Sequence, residues 1–455
     1  MGAAPTSAAR KLFGTDGVRG VAGEFLTAEL ALALARSATA RITTDHAPRV
    51  LIIRDTRESG EMLESAIAAG ATAAGGDALL AGVLPTPAAP LLVRRHGLTL
   101  AFVISASHNP YEDNGIKLFA ADGFKLDDDT EHAIEAELDN EPPVPTRIGR
   151  VRRFHGALED YLRELHVRFA DLDLSGRRVL LDCANGATFR AAPEIFRRLG
   201  AEVDVLADQP DGRNINDGCG STHIDPVRER MTTGDYDVAF AFDGDGDRVL
   251  AVDRSGAIVD GDELIALAAI HLQHRNRLPG QGVAVTVMTN YGFHTAMAAA
   301  GIHVATTPVG DRYVLDELRR RGWALGGEQS GHIIDLGFGP SGDGIASALL
   351  TLEALGTGDL HARGAMQKLP QRLENVRAED RASLDAAMSH SSVQSAVARE
   401  DEALSGRGRV LVRASGTEPL IRVMVEAPSA EETEQVCARL VEAVRQVIGP
   451  GKDGA

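Results

Sequence analysis

Short apolar runs rich in β-branched residues recur along the chain, each closed by a small polar loop and then by a stretch with helical spacing. RVLIIRD (Arg49–Asp55) leads to GEMLESAIAAGATAAGG (Gly60–Gly76), and RRVLLDCANGA (Arg177–Ala187) leads to AAPEIFRRLG (Ala191–Gly200). GVAVTVMTN (Gly282–Asn290) precedes HTAMAAAG (His294–Gly301), while LTLAFVI (Leu98–Ile104) and DVAFAFDGDGD (Asp237–Asp247) repeat the strand-then-loop form. Near-continuous apolar runs mark strands covered on both faces, as in mixed or parallel sheets flanked by helices. The repetition therefore predicts an α/β architecture. Ligands in such sheets sit beyond the carboxyl ends of the strands, so the loops named here are where chemistry is expected.

The chain has 455 residues, more than one core usually serves. NEPPVPTR (Asn140–Arg147) reads as a linker, and a polar helical stretch over 374–408 sets the C-terminal segment apart. That segment differs in kind: RVLVRAS, a tight SGTEP turn, LIRVMVEA and an amphipathic helix from Glu431. The expectation is three consecutive mixed-sheet α/β domains of similar type, over 1–155, 156–257 and 258–370, plus a smaller α+β domain over 371–455. Lys and Arg number 47 against 65 Asp and Glu, a net charge of -18. That argues against a general nucleic-acid or anionic-membrane binder, so an anionic ligand needs a locally basic pocket. No apolar run is long enough for a membrane span, and no signal peptide is visible. The three cysteines, Cys183, Cys219 and Cys437, are far apart and suggest neither a disulfide framework nor a zinc site. A cytoplasmic setting is expected.

Four loops carry candidate chemistry. In DGDGDR (Asp243–Arg248) the carboxylates of Asp243, Asp245 and Asp247 alternate with glycines that let the backbone fold tightly. Three hard oxygens suit Mg²⁺ or Ca²⁺. An EF-hand is excluded: its sixth and twelfth positions would be Arg248 and Arg254, and a strand precedes the loop. VRASGTEPLIR (Val412–Arg422) offers the backbone and hydroxyls of Ser415, Gly416 and Thr417 between Arg413 and Arg422, which is what a phosphate cradle requires. GGEQSGHII (Gly326–Ile334) places Glu328, Ser330 and His332 at alternating positions, able to face one pocket and bind sugar hydroxyls. FGTDGVRG (Phe13–Gly20) sets Thr15 and Arg19 in a glycine-rich loop.

A further strand end is SASHNP (Ser105–Pro110), with Lys117 shortly after it. A turn accounts for the small polar residues. A serine near a cation site and a phosphate cradle also suits a covalent phosphoryl carrier, with Lys117 or His332 moving the proton of an attacking hydroxyl. His108 is equally explained by a satisfied turn backbone.

Together these stretches resemble the α-D-phosphohexomutase superfamily, in that family's order and along nearly the whole chain. The resemblance implies four domains around one central cleft, each contributing a loop. SASHNP resembles the phosphoserine loop, DGDGDR the metal loop, GEQSGH the sugar loop and RASGTEP the phosphate loop. Within the superfamily, Gln329, FGTDGVRG, VMTNYGF (Val287–Phe293) and TPVGDRYV (Thr307–Val314) resemble the phosphoglucosamine mutase branch. That branch interconverts glucosamine 6-phosphate and glucosamine 1-phosphate through a 1,6-bisphosphate, a step toward UDP-N-acetylglucosamine and cell-wall synthesis. Carried over, Ser107 is the phosphorylated residue. One Mg²⁺ per subunit is held by Asp243, Asp245, Asp247 and an oxygen on Ser107. Arg19, Lys117, His332 and His108 are catalytic, with the proton carrier left open among the first three. Thr15, Arg248, Glu328, Ser330, Arg413, Ser415, Gly416, Thr417 and Arg422 bind substrate. A homodimer is expected. Alternatives are a phosphoglucomutase or phosphomannomutase, a phosphatase using the same serine, and a phosphosugar sensor that ought to have lost Ser107 or a metal aspartate.

Overall fold

In the computed structural model the first repetition closes into a six-stranded sheet. Its elements are β1 (Val18–Val21), α1 (Ala28–Arg41), β2 (Arg49–Arg54), α2 (Gly60–Ala73), β3 (Asp77–Val83), α3 (Ala88–His96), β4 (Leu100–Ile104), β5 (Asp113–Ala120), α4 (Asp128–Ala136) and β6 (Val151–Arg153). The order is β1-β5-β4-β2-β3-β6, with β2 parallel to β3 and β4 and β5 antiparallel to β4. All of β4 is buried, as its unbroken apolar run requires. The Thr27 hydroxyl accepts from the Leu30 N–H and so caps α1. Helices α1 and α2 approach closely at Gly70, where a Cβ would stand 2.2 Å from the Leu32 carbonyl oxygen. The structure describes residues 12–14, 16–42, 46–138, 140, 145–378, 380–414 and 419–448.

The second repetition contains α5 (Ala157–Arg168), β7 (Arg178–Asp182), α6 (Ala191–Arg198), β8 (Glu202–Leu206), α7 (Asp225–Thr233), β9 (Val238–Phe242), β10 (Val249–Asp253) and β11 (Ile258–Val259). The sheet runs β11-β10-β9-β7-β8, and β9 is wholly buried. The third contains α8 (Gly261–His274), β12 (Gly282–Thr286), α9 (Tyr291–Ala299), β13 (His303–Thr307), α10 (Asp311–Arg321), β14 (Leu325–Gly327), β15 (Ile333–Asp335) and α11 (Gly344–Leu355). Its sheet runs β13-β12-β14-β15.

The last segment is α+β. It comprises β16 (Gln371–Arg377), α12 (Arg381–Ser389), α13 (Ser391–Leu404), β17 (Arg409–Ala414), β18 (Leu420–Glu426) and α14 (Ala430–Ile448). Three antiparallel strands in the order β16-β18-β17 bury Ile421, Val423 and Val425 against Leu384, Val393, Val436 and Leu440.

The chain divides into two compact units, Met1–Val287 with Ala305–Arg363, and Met288–Val304 with Gly364–Ala455. Helix α9 thus belongs with the C-terminal strands. Within that unit Asn290 donates to the Leu369 carbonyl at 3.1 Å and accepts from the Leu369 N–H at 2.9 Å. The Tyr291 N–H donates to the fully buried Glu426 at 2.8 Å. All three cysteines are buried, and burial pushes the Cys219 thiol up to about 12. Among the described residues no helix is long and apolar enough to cross a membrane.

Candidate active site

Strand β4 ends at Ile104, and the chain turns at Ser107 with φ 53°, a left-handed conformation uncommon for a residue with a side chain. The Ser107 N–H donates to the Ser105 hydroxyl at 3.0 Å, and Ser105 in turn donates to the buried carboxylate of Asp55. This arrangement aims the buried Ser107 hydroxyl at Oδ2 of Asp243, to which it donates. The first carboxylate beyond β9 therefore meets the serine beyond β4, because both strands deliver their loops to the same place.

The rest of DGDGDR closes round that contact. Asp243, Asp245 and Asp247 are all buried, and their carboxylate oxygens lie within 4.8 Å of one another. Asp245 Oδ2 accepts from the Thr86 hydroxyl at 2.6 Å and from Lys117 Nζ at 2.9 Å. Oδ1 of Asp245 and Oδ1 of Asp247 have no hydrogen-bond partner among the described residues. Burial first, then the Asp247 and Asp245 charges, push the Asp243 carboxyl well above the usual carboxylate range. Crowded buried carboxylates with unpartnered oxygens are what a hard divalent cation would satisfy, so this group can bind a metal.

Cations rim the triad. Burial alone would lower Lys117, yet Asp16 at 3.1 Å, Asp245 and Asp247 hold it firmly as an ammonium. His332 is buried immediately before β15. Its Nδ1 lies 3.5 Å from Asp247 Oδ1, a charge contact beyond good hydrogen-bond length. Its Nε2 accepts from the Gly342 N–H at 3.2 Å. Burial would lower this imidazole as well, but Asp247, Asp311 and Glu328 raise it. His108 Nδ1 accepts from Arg248 at 3.2 Å and lies 3.4 Å from the Ser107 oxygen. Burial, Arg248 and Arg19 hold His108 down toward its neutral form. Arg19 is ion-paired with Asp16. Glu328 accepts from the Gly310 N–H at 3.0 Å, and Ser330 lies exposed in the same loop.

Ser107, His108, Lys117, Arg19, Arg248, Glu328, Ser330, His332 and the three aspartates thus all lie in the first compact unit. Arg413 and Arg422 belong to the second, side by side on β17 and β18. Thr15, Ser415, Gly416 and Thr417 lie outside the described residues. Gln329 does not project as a free recognition group: its amide donates to Asp260, the N-cap of α8, at 3.2 Å.

Several partners escaped the sequence reading. Asp16 bridges Lys117 and Lys125, and Lys125 also meets Asp311 at 2.6 Å. Thr86 steers Asp245, and Asp55 anchors Ser105. Asp55 sits at a strand end like the loops that were singled out, which was the available clue. Thr86 lies in an ordinary turn that announces nothing, and Asp311, though inside TPVGDRYV, opens α10 with no local sign of its lysine partner.

Comparison with known proteins decides the family. Models of the phosphoglucomutase/phosphomannomutase alpha/beta/alpha domains I, II and III match residues 10–144, 159–256 and 260–373, and that of the C-terminal domain matches 373–443. The chain belongs to the phosphoglucomutase/phosphomannomutase family. Within it, the phosphoglucosamine mutase of Moorella thermoacetica is 50% identical over 439 residues, covering 94% of this chain and 98% of that one. The phosphoglucosamine mutase of Mycolicibacterium smegmatis is 47% identical over 451 residues, covering 95% and 99%. A family structure from Burkholderia thailandensis superposes with a TM-score of 0.81 at 24% identity over 98% of both chains. Aspergillus fumigatus N-acetylphosphoglucosamine mutase, solved with GlcNAc-6P and magnesium, gives 0.63 at 18% identity over 96% of both, a likeness of fold.

Proposed function

We propose that this chain interconverts glucosamine 6-phosphate and glucosamine 1-phosphate through phosphorylated Ser107 and a 1,6-bisphosphate. The observation that carries the reading is the Ser107 hydroxyl seated on Asp243 of the buried carboxylate triad. Phosphorylated Ser107 gives its phosphoryl group to the free hydroxyl of the sugar phosphate, and one proton passes, net, from that hydroxyl to Ser107 Oγ. The bisphosphate then returns its other phosphoryl group to Ser107, and the proton goes back.

Asp243, Asp245 and Asp247 would hold the cation, taken as one Mg²⁺ per subunit, whose chemistry is to offset charge on the transferring group. Lys117, held as an ammonium, stabilises the same charge, and Lys117, His332 or Arg19 carries the proton for the departing oxygen. Arg19, Arg248 and His108 orient the phosphoryl group. Glu328 and Ser330 take the sugar hydroxyls. Thr15 binds substrate, while Arg413, Ser415, Gly416, Thr417 and Arg422 grip the phosphate that is not reacting. Binding through the remote phosphate orients the reacting end and excludes water. Domain boundaries at 155/156, 257/258 and 370/371, a homodimer and a cytoplasmic setting complete the proposal.

The deciding experiment compares kcat/KM for glucosamine 6-phosphate and glucose 6-phosphate with Mg²⁺ and a trace of hexose 1,6-bisphosphate, alongside Ser107→Ala. Preference for the amino sugar and loss of nearly all turnover in the variant are expected. Equal or reversed preference would assign the glucose or mannose branch, and full turnover without the serine would end the mechanism.

A further inference from the structure

A fully buried arginine and an asparagine from the second domain converge on the loop that carries Ser107. Arg57 uses all five of its N–H donors. Nε donates to Asp55 Oδ2 at 2.9 Å, and one terminal nitrogen donates to the Pro110 and Asp113 carbonyls, the latter at 3.0 Å. The other terminal nitrogen donates to the Ser107 carbonyl at 3.0 Å and the Asn109 carbonyl at 2.8 Å. Asn216 Nδ2 donates to the same two oxygens, at 2.9 Å and 3.1 Å. Two carbonyl oxygens and two nitrogens form a closed rhombus in which each nitrogen spends both hydrogens.

We propose that Arg57 and Asn216 are positioning residues that lock the Ser107 loop in its phosphoryl-carrying conformation by bridging the Ser107 and Asn109 carbonyls. The proposal rests on the reading of Ser107 as the phosphoryl carrier. Two carbonyl dipoles pointing at one spot repel unless donors occupy that spot. Without the donors, the 107–108 peptide has reason to rotate and Ser107 to leave φ 53°, a conformation that persists only where the surroundings over-determine it. The accompanying change of φ at Ser107 would swing Oγ away from Asp243.

The asparagine is not explained as packing. It is buried, and its Oδ1 has no hydrogen-bond partner among the described residues, a cost an apolar side chain would avoid. Asn216 is itself held left-handed at φ 59°, its N–H donating to the Ala184 carbonyl at 2.9 Å. Gly244, between two of the metal-loop aspartates, leaves the space the bridge occupies. A Cβ there would come within 2.5 Å of the Ser107 oxygen and 2.7 Å of Asn216 Nδ2. Serine loop, metal loop and bridge therefore share one register across the boundary between the first two domains.

The test is steady-state mutase kinetics on the full-length protein with Mg²⁺ for Asn216→Ala, Arg57→Lys and the double variant, normalised to folded protein by circular dichroism. Misplacement of a reacting atom by about 1 Å can cost about 100-fold. Asn216→Ala should lower kcat at least fivefold with KM within threefold. Since both donors hold the same carbonyls, the double variant should fall well short of the product of the single losses. A kcat loss under fivefold in folded Asn216→Ala overturns the proposal, as does a multiplicative double variant. Asn216→Ser, whose hydroxyl has one hydrogen for two carbonyls, carries the same thresholds if the alanine variant does not fold. Failure of the phosphoryl-carrier reading shows separately, as full turnover in Ser107→Ala.

Discussion

Arg413 on β17 and Arg422 on β18 are direct cross-strand partners in an antiparallel register. Directly opposed residues of such a pair share one face of the sheet, where two like charges destabilise each other. The pair becomes intelligible when a dianion lies across it, since two guanidinium groups can fork onto phosphate oxygens. Ala414 ends β17 immediately before the SGTEP segment, so in the chain the cradle read from the sequence begins two residues after Arg413.

Arg422→Ala should therefore weaken substrate binding far more than folding. Removing one fork of a charge-assisted contact is expected to raise KM at least tenfold, about 1.4 kcal/mol. The melting temperature should stay within about 2 °C or rise slightly, because cross-strand repulsion is relieved. Kinetics and calorimetry on the same preparation check both, and a large thermal loss with unchanged KM would make Arg422 a structural residue.

The cation prediction uses the crowding at the triad. If a divalent ion relieves the repulsion among Asp243, Asp245 and Asp247, Mg²⁺ should raise the melting temperature of the parent by mass action. Asp245→Asn keeps an acceptor for Thr86 but removes a charge, so it should lose most of that rise and need more Mg²⁺ for turnover. Chelation should abolish activity, and Mg²⁺ should restore it. An equal thermal response in parent and variant would place the ion elsewhere.

The sequence was legible where local chemistry is dense. Unbroken apolar runs announced β4 and β9, and the polar residues just beyond them are those the fold brings together, Ser107 on Asp243. What stayed hidden depends on partners distant in the chain. Thr86 matters through Asp245, and Asp16 through Lys117, contacts that no local spacing encodes. Helix α9 was legible as a helix but not as part of the C-terminal unit, because Asn290 and Glu426 meet only after folding.

Gln329 shows how a branch-marking residue can differ from a recognition residue. Its amide is engaged with Asp260, the cap of α8, rather than offered to a ligand. Gln329→Met should change the preference between glucosamine 6-phosphate and glucose 6-phosphate by less than about threefold, while losing about 1 kcal/mol of stability with the hydrogen bond. A switch in preference without thermal loss would restore it to the substrate pocket.

A last prediction concerns pH. Asp343 caps α11 and accepts from the Ala346 N–H at 2.9 Å and from the buried Tyr161 hydroxyl. Burial nevertheless pushes its carboxyl up to about 6. Between its ordinary value near 4 and about 6, the folded protein keeps a proton that the unfolded chain gives up, so this group's contribution falls as pH rises through 6. An asparagine in its place would retain an acceptor and carry no charge. Relative to the parent, Asp343→Asn should therefore gain about 2 kcal/mol on going from pH 4 to pH 7. Melting temperatures of both proteins across that range measure the difference. A parent that gains on the variant as pH rises would mean that Asp343 folds as a stabilised carboxylate, and that the Tyr161 hydroxyl and the helix terminus outweigh its burial.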